Sequence, residues 1–119
     1  MKKTDYNLAV YCGARSGNDP LFTERARELG TLCARNNIGV VYGGGRTGLM
    51  GTVAGATLDA GGVVYGVVTH KLVGLEGVYP GQTTLDIVDT MHQRKIAMIE
   101  KADAFVAMPA PAPWKLSLI

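Results

Sequence analysis

Short continuous apolar runs recur along the chain, and stretches with helical periodicity separate them. The first run, residues 8–12, is closed by Gly13. A run this short and uninterrupted is typical of a strand buried on both faces. Four more strands are predicted at residues 40–42, 63–68, 85–88 and 105–108. Strands that alternate with helices predict an α/β fold: a parallel sheet with right-handed crossovers and helices on both faces, incomplete at the C-terminus.

Three helices are predicted between these strands. The first begins at Asp19-Pro20, because aspartate is a good N-cap and proline suits the first helical position. Its apolar stripe is Phe22, Ala26, Leu29 and Cys33. Residues that commonly end helices follow it: Asn36, Asn37 and Gly39. The other two helices are predicted at 49–60, rich in small residues, and at 90–101, whereas residues 69–82 are predicted to form an irregular loop.

Composition limits the class of protein. The 119 residues are 47% hydrophobic and 18% charged, which predicts one globular domain. The 12 basic and 10 acidic residues are too evenly balanced to favour nucleic acid or an anionic membrane. The apolar runs are far shorter than the ~20 residues that span a bilayer, and no signal peptide is recognised. We expect a cytoplasmic protein in which Cys12 and Cys33 are buried thiols.

A glycine-rich turn, residues 43–48, follows the second predicted strand and leads into a helix. Free N–H groups and the helix dipole favour an anion at such a place. The spacing matches a dinucleotide motif, but the next strand is followed by Thr69-His70 and has no acid for a ribose hydroxyl. A P-loop is also disfavoured, because Leu49-Met50 stands where lysine and a hydroxyl residue are needed. A mononucleotide or sugar phosphate remains, and the alternative is a turn needed only for packing.

Arg94 is the second candidate, because it lies near the start of a helix that follows a strand and could reach the same edge of the sheet. A solvated arginine beside Lys95 is the alternative reading. Arg46 could bind phosphate or be exposed. His70 and His92 are interpreted as surface or capping residues, and no pair of carboxylates has a spacing that favours acid–base chemistry.

Four ordered motifs resemble the LOG (LONELY GUY) family, whose members are often mislabelled lysine decarboxylases. The motifs are Tyr11-Cys12-Gly13, Tyr42-Gly43-Gly44-Gly45-Arg46-Thr47-Gly48-Leu49-Met50-Gly51, Met91-His92-Gln93-Arg94-Lys95, and Ala102-Asp103-Ala104-Phe105-Val106-Ala107-Met108-Pro109. The resemblance implies a Rossmann-like nucleotide-binding domain over residues 1–109. It also implies hydrolysis of the N-glycosidic bond of AMP or a cytokinin riboside 5′-monophosphate, which releases the base and ribose 5-phosphate.

The resemblance also implies where the site lies. Arg94 is the expected catalytic residue, and the expected substrate-binding residues are Gly13, Gly43, Gly44, Gly45, Thr47, Gly48, Met50, Met91, Arg94 and Lys95. A homodimer with active sites near the subunit interface is expected, with a nucleoside 5′-monophosphate as ligand. No cofactor and no metal are expected.

The chain departs from the family pattern after the last predicted strand. The family has Pro-Gly-Gly-x-Gly-Thr-x-x-Glu with a catalytic glutamate, whereas this chain reads Pro109-Ala110-Pro111-Ala112-Pro113-Trp114-Lys115. Residues 110–119 are therefore expected to be an aberrant tail, frame-shifted or disordered, and activity is expected to be impaired. The alternatives are a non-hydrolytic nucleotide or sugar-phosphate binding module and an inactive gene remnant.

A frame slip near Pro109 would explain the departure. Read one base earlier, the end of the Trp114 codon and the start of the Lys115 codon give glutamate whatever codons are used. Permitted third bases turn residues 110–115 into Gly-Ala-Gly-Thr-Leu-Glu in that same frame. Resequencing the gene should show the uninterrupted motif in the other frame, and its absence there would contradict the frame slip.

Overall fold

The computed structural model describes residues 4–12, 20–44, 48–76, 84–108 and 115–117. The strands are β1 Tyr6–Cys12, β2 Ile38–Tyr42, β3 Val64–Thr69, β4 Thr84–Val88, β5 Ala104–Met108 and β6 Lys115–Ser117. The helices are α1 Pro20–Arg35, α2 Gly48–Asp59, α3 His70–Glu76 and α4 Met91–Lys101. They form one sheet of order β4-β3-β2-β1-β5-β6. The first five strands pair in parallel, and β6 is antiparallel to β5.

The strand order contains one reversal of direction. From β1 to β4 each connection steps to the next strand on the same side, and the chain then returns through α4 to place β5 on the other side of β1. Right-handed crossovers place helices of opposite direction on opposite faces of a sheet. The predicted α/β fold with a parallel sheet is therefore confirmed, and the reversal lies between β1 and β5.

One hydrophobic core lies between the sheet and the helices α1 and α2. Val40, Tyr42 and Val64 meet Leu49 and Val53 there. The first helix contributes the stripe predicted from sequence: Ala26 and Cys33 are buried, and Phe22 and Leu29 pack against the core.

The two helices approach closely where α1 carries Gly30. A Cβ on that residue would lie 2.9 Å from the Thr57 hydroxyl oxygen and 3.0 Å from the Ala56 methyl. Such a small separation is possible because α2 is rich in small residues. The same helix also packs against the sheet, where Leu49 and Val53 meet Val40 and Tyr42.

A second core lies on the opposite face, under α4. Its buried members are Ala9, Val41, Val67 and Met98. Alternate residues of a strand point to opposite faces, so the odd-numbered residues of β1, β2 and β3 face α4. This alternation determines which side chains can share a site under α4.

Hydrogen bonds of Asn7 hold the amino-terminal end of the sheet. Its side-chain oxygen accepts from the Thr4 hydroxyl at 2.6 Å, and its amide donates to the Lys101 carbonyl at 3.0 Å. The Asp103 carboxylate accepts from the Asn7 backbone N–H at 2.8 Å. These bonds tie the end of α4 to the start of the central strand.

Two local predictions were wrong. Gly39 does not end α1, because it already lies inside β2; Asn37, with φ of 57°, makes the left-handed turn instead. Glycine is needed at 39 because a Cβ would overlap the Asn7 side-chain oxygen. Within the predicted loop 69–82, His70–Glu76 forms α3. Seven residues give too little periodic pattern to reveal a helix in sequence.

Of the expected aberrant tail, only Lys115–Ser117 lies within the described residues. It forms β6, a strand that the sequence analysis did not predict, with Leu116 opposite Val106. The frame slip and the boundary at residue 109 stay predictions.

Among the residues described above, no helix combines the length and the apolar character that crossing a bilayer requires. The longest helix is α1, which exposes charged residues such as Glu24 and Arg27.

The buried Cys33 thiol should make stability depend on alkaline pH. Cys33 is 2% exposed, and burial raises the pKa of its thiol to about 11 from an ordinary 9.0. The folded state holds the thiol proton more tightly than the unfolded state does. The protonated thiol therefore contributes fully to the free energy of unfolding below pH 9, and this contribution is lost as the pH rises toward 11. The free energy of unfolding should fall there by up to about 1.4 kcal/mol per pH unit. Urea unfolding of the protein and of Cys33→Ala at several pH values tests this, since parallel pH profiles would contradict it.

Candidate functional site

Four elements bring residues to the carboxyl ends of the central strands, the edge where parallel sheets bind ligands. Tyr11 comes from β1, Gly43 and Gly44 follow β2, and Met50 lies in the first turn of α2. Arg94 reaches the same edge from α4.

A capping box defines where α4 begins. Thr90 is the N-cap, and its hydroxyl accepts from the Gln93 N–H at 3.0 Å. The Gln93 side-chain oxygen accepts in return from the backbone N–H groups of Thr90 at 3.1 Å and Asp89 at 2.9 Å. This reciprocal arrangement satisfies free donors at the helix start. The helix starts as predicted, and Arg94 is its fourth residue.

The half-buried Arg94 side chain lies flat against the backbone of two strands. Its Nε donates to the Val67 carbonyl of β3 at 3.0 Å. Its Nη2 occupies the space beside Gly43, where a Cβ on that glycine would overlap it. Gly43 therefore permits the guanidinium to reach the end of β2, a role that the sequence did not reveal.

Met50 lies beside the same position. Its sulfur lies 3.6 Å from the position that a Gly43 Cβ would take. Three of the predicted site residues, Gly43, Met50 and Arg94, therefore lie close together. Their role in binding substrate stays a prediction.

Gly44 begins the glycine turn with a backbone that favours glycine. Its φ is +81°, in the left-handed region that other residues rarely adopt, and a Cβ would lie 3.1 Å from the Val68 side chain. The turn therefore leaves the sheet at Gly44 and re-enters regular structure at Gly48, the first residue of α2.

The remaining predicted site residues fall into two groups. Met91 is 57% exposed and Lys95 is also exposed, both on α4. Three lie outside the described residues: Gly13, Gly45 and Thr47.

Tyr11 was not among the predicted site residues, although it belongs to the first of the four motifs. It is the sixth residue of β1, and its ring stacks on Phe105 with centroids 5.5 Å apart and planes 28° apart. Burial raises the pKa of Tyr11 above its ordinary 10.0, and the Arg94 charge partly offsets this by lowering it. Strand parity could have found Tyr11, because it falls on the same face as Gly43.

The two histidines do not join these contacts. His70 Nε2 lies 3.3 Å from a carboxylate oxygen of Asp89, and both side chains are more than two-thirds exposed. His92 is exposed on α4. Both positions agree with the interpretation of the histidines as surface residues.

This arrangement offers a fixed cation beside a glycine turn at a helix N-terminus. A guanidinium presents several N–H donors in a plane and suits phosphate, carboxylate or sugar oxygens. The fold and this site define a Rossmann-like α/β domain with its candidate site at the carboxyl edge of the sheet.

The family model described as "Possible lysine decarboxylase" matches residues 50–110, just over half of the chain. The chain belongs to this family, known as the LOG family, as its four motifs indicated.

Curated relatives agree with this membership. A cytokinin riboside 5′-monophosphate phosphoribohydrolase of Rhodococcoides fascians is 42% identical over 109 residues, which is 91% of this chain and 55% of the relative. The enzyme LOG1 of Arabidopsis thaliana, which has the same description, is 40% identical over 104 residues, 86% of this chain and 48% of the relative. The chain thus spans about half the length of these relatives.

A solved structure confirms the fold alone. The molybdenum cofactor binding protein of Rippkaea orientalis superposes with a TM-score of 0.75 at 18% identity, covering 94% of this chain and 66% of that one. At this identity only the architecture is shared.

Gly43→Ala should displace Arg94. The new methyl group would overlap the guanidinium, so the hydrogen bond from Arg94 Nε to the Val67 carbonyl should be lost. We expect a loss of about 1 kcal/mol in unfolding free energy, the contribution of the lost hydrogen bond, measured by urea denaturation, and faster solvent exchange of the Arg94 Nε–H, measured by NMR.

Gly74→Ala is the matched control, because a Cβ at Gly74 in α3 would meet nothing within 4 Å. It should leave the Arg94 signal unchanged. An unchanged signal in Gly43→Ala as well would contradict the proposed packing of Arg94 on Gly43.

Proposed function

We propose that the chain is the nucleotide-binding part of a LOG-type phosphoribohydrolase. The reaction is hydrolysis of the N-glycosidic bond of a nucleoside 5′-monophosphate, AMP or a cytokinin riboside 5′-monophosphate, to free base and ribose 5-phosphate. The observation that carries the proposal is the Arg94 guanidinium held over Gly43, next to the glycine turn. The relatives are named as cytokinin riboside 5′-monophosphate phosphoribohydrolases, which supports the same substrate class.

Cleavage of a base–ribose bond passes through a sugar with oxocarbenium character. The enzyme must hold the sugar in place, which a phosphate anchored at the glycine turn and the start of α2 would do. It must also stabilise charge that develops as the bond breaks. Arg94 is suited to this step because a hydrogen bond to the Val67 carbonyl fixes its orientation before any ligand binds.

A carboxylate that stabilises the sugar cation is the remaining requirement. In the family pattern it is the glutamate after the last strand, whereas residues 110–119 of this chain contain no glutamate. We propose that turnover by this chain is lower by roughly two to three powers of ten, by analogy with the loss of a group that stabilises a transition state.

The same absence favours a second candidate function. A chain that keeps the glycine turn and Arg94 without the carboxylate could bind a nucleotide or sugar phosphate without hydrolysing it. We also propose a cytoplasmic homodimer, which rests on the family resemblance.

Arg94→Ala should reduce both turnover and binding of AMP. Incubation with AMP and chromatographic detection of adenine measures turnover, and calorimetry measures binding. We expect turnover to fall at least about a hundredfold. The turnover of Arg94→Lys should lie between that of the original protein and that of Arg94→Ala, because lysine keeps the charge but lacks the planar guanidinium.

Arg35→Ala is the control, because Arg35 is an exposed cation at the end of α1 on the other face of the sheet. Turnover that survives in Arg94→Ala would contradict the assigned role. AMP binding without adenine release in any variant would favour the binding module, and protein that neither binds nor unfolds cooperatively would contradict both functions.

A further inference from the structure

Helix α1 carries a second stripe beside the one that packs on the core. This outer stripe consists of Leu21, Arg25, Glu28 and Leu32, and each of them lies one residue before a member of the core stripe. One residue turns an α-helix by about 100°, so the outer stripe points away from the core. Both leucines are exposed to solvent, Leu21 by 45% and Leu32 by 55%.

The two charged residues in the middle of the outer stripe bind each other. Arg25 Nη1 donates to Glu28 Oε2 at 3.0 Å, and both side chains are about half exposed. This pair does not use the full capacity of either group, because a guanidinium has five N–H donors and a carboxylate has about four acceptor sites. Both groups can therefore bind a second partner of opposite charge.

The order of residues in the outer stripe is self-complementary. Along the helix it is leucine, arginine, glutamate and leucine, and the four positions are symmetric about the midpoint of the stripe. With a rise of 1.5 Å per residue, the leucines lie about 8 Å and the charged residues about 2 Å on either side of that midpoint.

This symmetry fits a second copy of the same helix that lies antiparallel across a two-fold axis, since such an axis brings one surface against itself. Leu21 then faces the partner's Leu32. Arg25 faces the partner's Glu28, so opposite charges meet at the centre. A parallel pair of helices would instead bring like charges together.

We propose that the outer stripe of α1 is an interface at which two copies of this chain associate through antiparallel helices. Helix α1 packs on the opposite face of the sheet from α4, which carries Arg94. The interface is therefore separate from the one expected near the active sites and does not depend on the proposed hydrolysis. Two 16-residue helices bury less than the roughly 1,200–2,000 Å² of a standard interface, so the association is weak and concentration-dependent.

Charge inversion tests this interface. Sedimentation equilibrium measures association over about 5–500 µM protein, the range in which weak dimers form. Arg25→Glu places four carboxylates at the centre of the pair, and Glu28→Arg places four guanidinium groups there. Each single variant should associate at least about tenfold more weakly than the original protein, because like charges repel.

Arg27→Glu is the matched control. It changes the net charge by the same amount on the same helix, but Arg27 lines the groove between α1 and α2 and lies outside the outer stripe. The association of this variant should equal that of the original protein. An effect as large as that of Arg25→Glu would assign the loss to net charge and contradict the interface.

A mixture of the two single variants is the sharper test. In the antiparallel pair every changed charge meets one of opposite sign, so the variants should form a one-to-one heterodimer although each associates poorly with itself. The double variant Arg25→Glu/Glu28→Arg exchanges the two charges and should regain association. Recovery in both cases would show that the single changes act through charge and leave the helix intact.

Three results would overturn the proposal: an original protein that stays monomeric at every concentration, single variants that associate as strongly as the original, or a mixture that forms no heterodimer. If the expected interface near the active sites also forms, the original protein should reach the mass of a tetramer and each single variant only that of a dimer. Association that resists both inversions would contradict the α1 interface and leave the expected one in place.

Discussion

The parallel register of β1, β2 and β3 is the constraint on which the candidate site depends. It sets Tyr11, Gly43 and Val67 level with one another, and the pleat points all three positions toward the same face. A shift of one residue in either ladder would turn the affected position to the other face and place a different residue beside Arg94. Strand pairing therefore determines which residues the candidate site contains.

Helix α4 carries the cation of the candidate site, the Arg94 guanidinium. Two features fix the position of this helix. At its start, the capping box of Thr90 and Gln93 sets the residue at which the helix begins, so that Arg94 falls on the inner face. At its end, the Lys101 carbonyl bonds to Asn7, and Met98 packs in the core between these points. Arg94 is thus placed by contacts along the whole helix. A guanidinium placed before a ligand arrives loses less conformational entropy on binding, which is the advantage of a preorganised charge.

The structure also clarifies what membership of the LOG family means for this chain. The described residues form a Rossmann-like sheet with its helices. They include Arg94 of the Met-His-x-Arg-Lys motif, which lies beside Gly43 at the start of the glycine turn. The family glutamate has no counterpart in residues 110–119. In the proposed function, Arg94 and the glycine turn would serve nucleotide binding, whereas bond cleavage also needs a group that stabilises the sugar cation. Ligand class and catalytic rate are consequently separate questions for this protein.

By itself the sequence determined the five parallel strands, the three longer helices and the positions of the glycine turn and Arg94. Those features depend on local patterns: apolar runs, helical spacing, capping residues and glycine after a strand. The sequence left open whether the Arg94 side chain was solvated, it assigned Gly39 to a helix end, and it did not reveal the contact between Gly43 and Arg94. Only the tertiary structure decided these points, because Gly39 is needed where Asn7 approaches from β1 and Gly43 where Arg94 approaches from α4. The contact partner of a glycine is distant in sequence, and no local pattern encodes it.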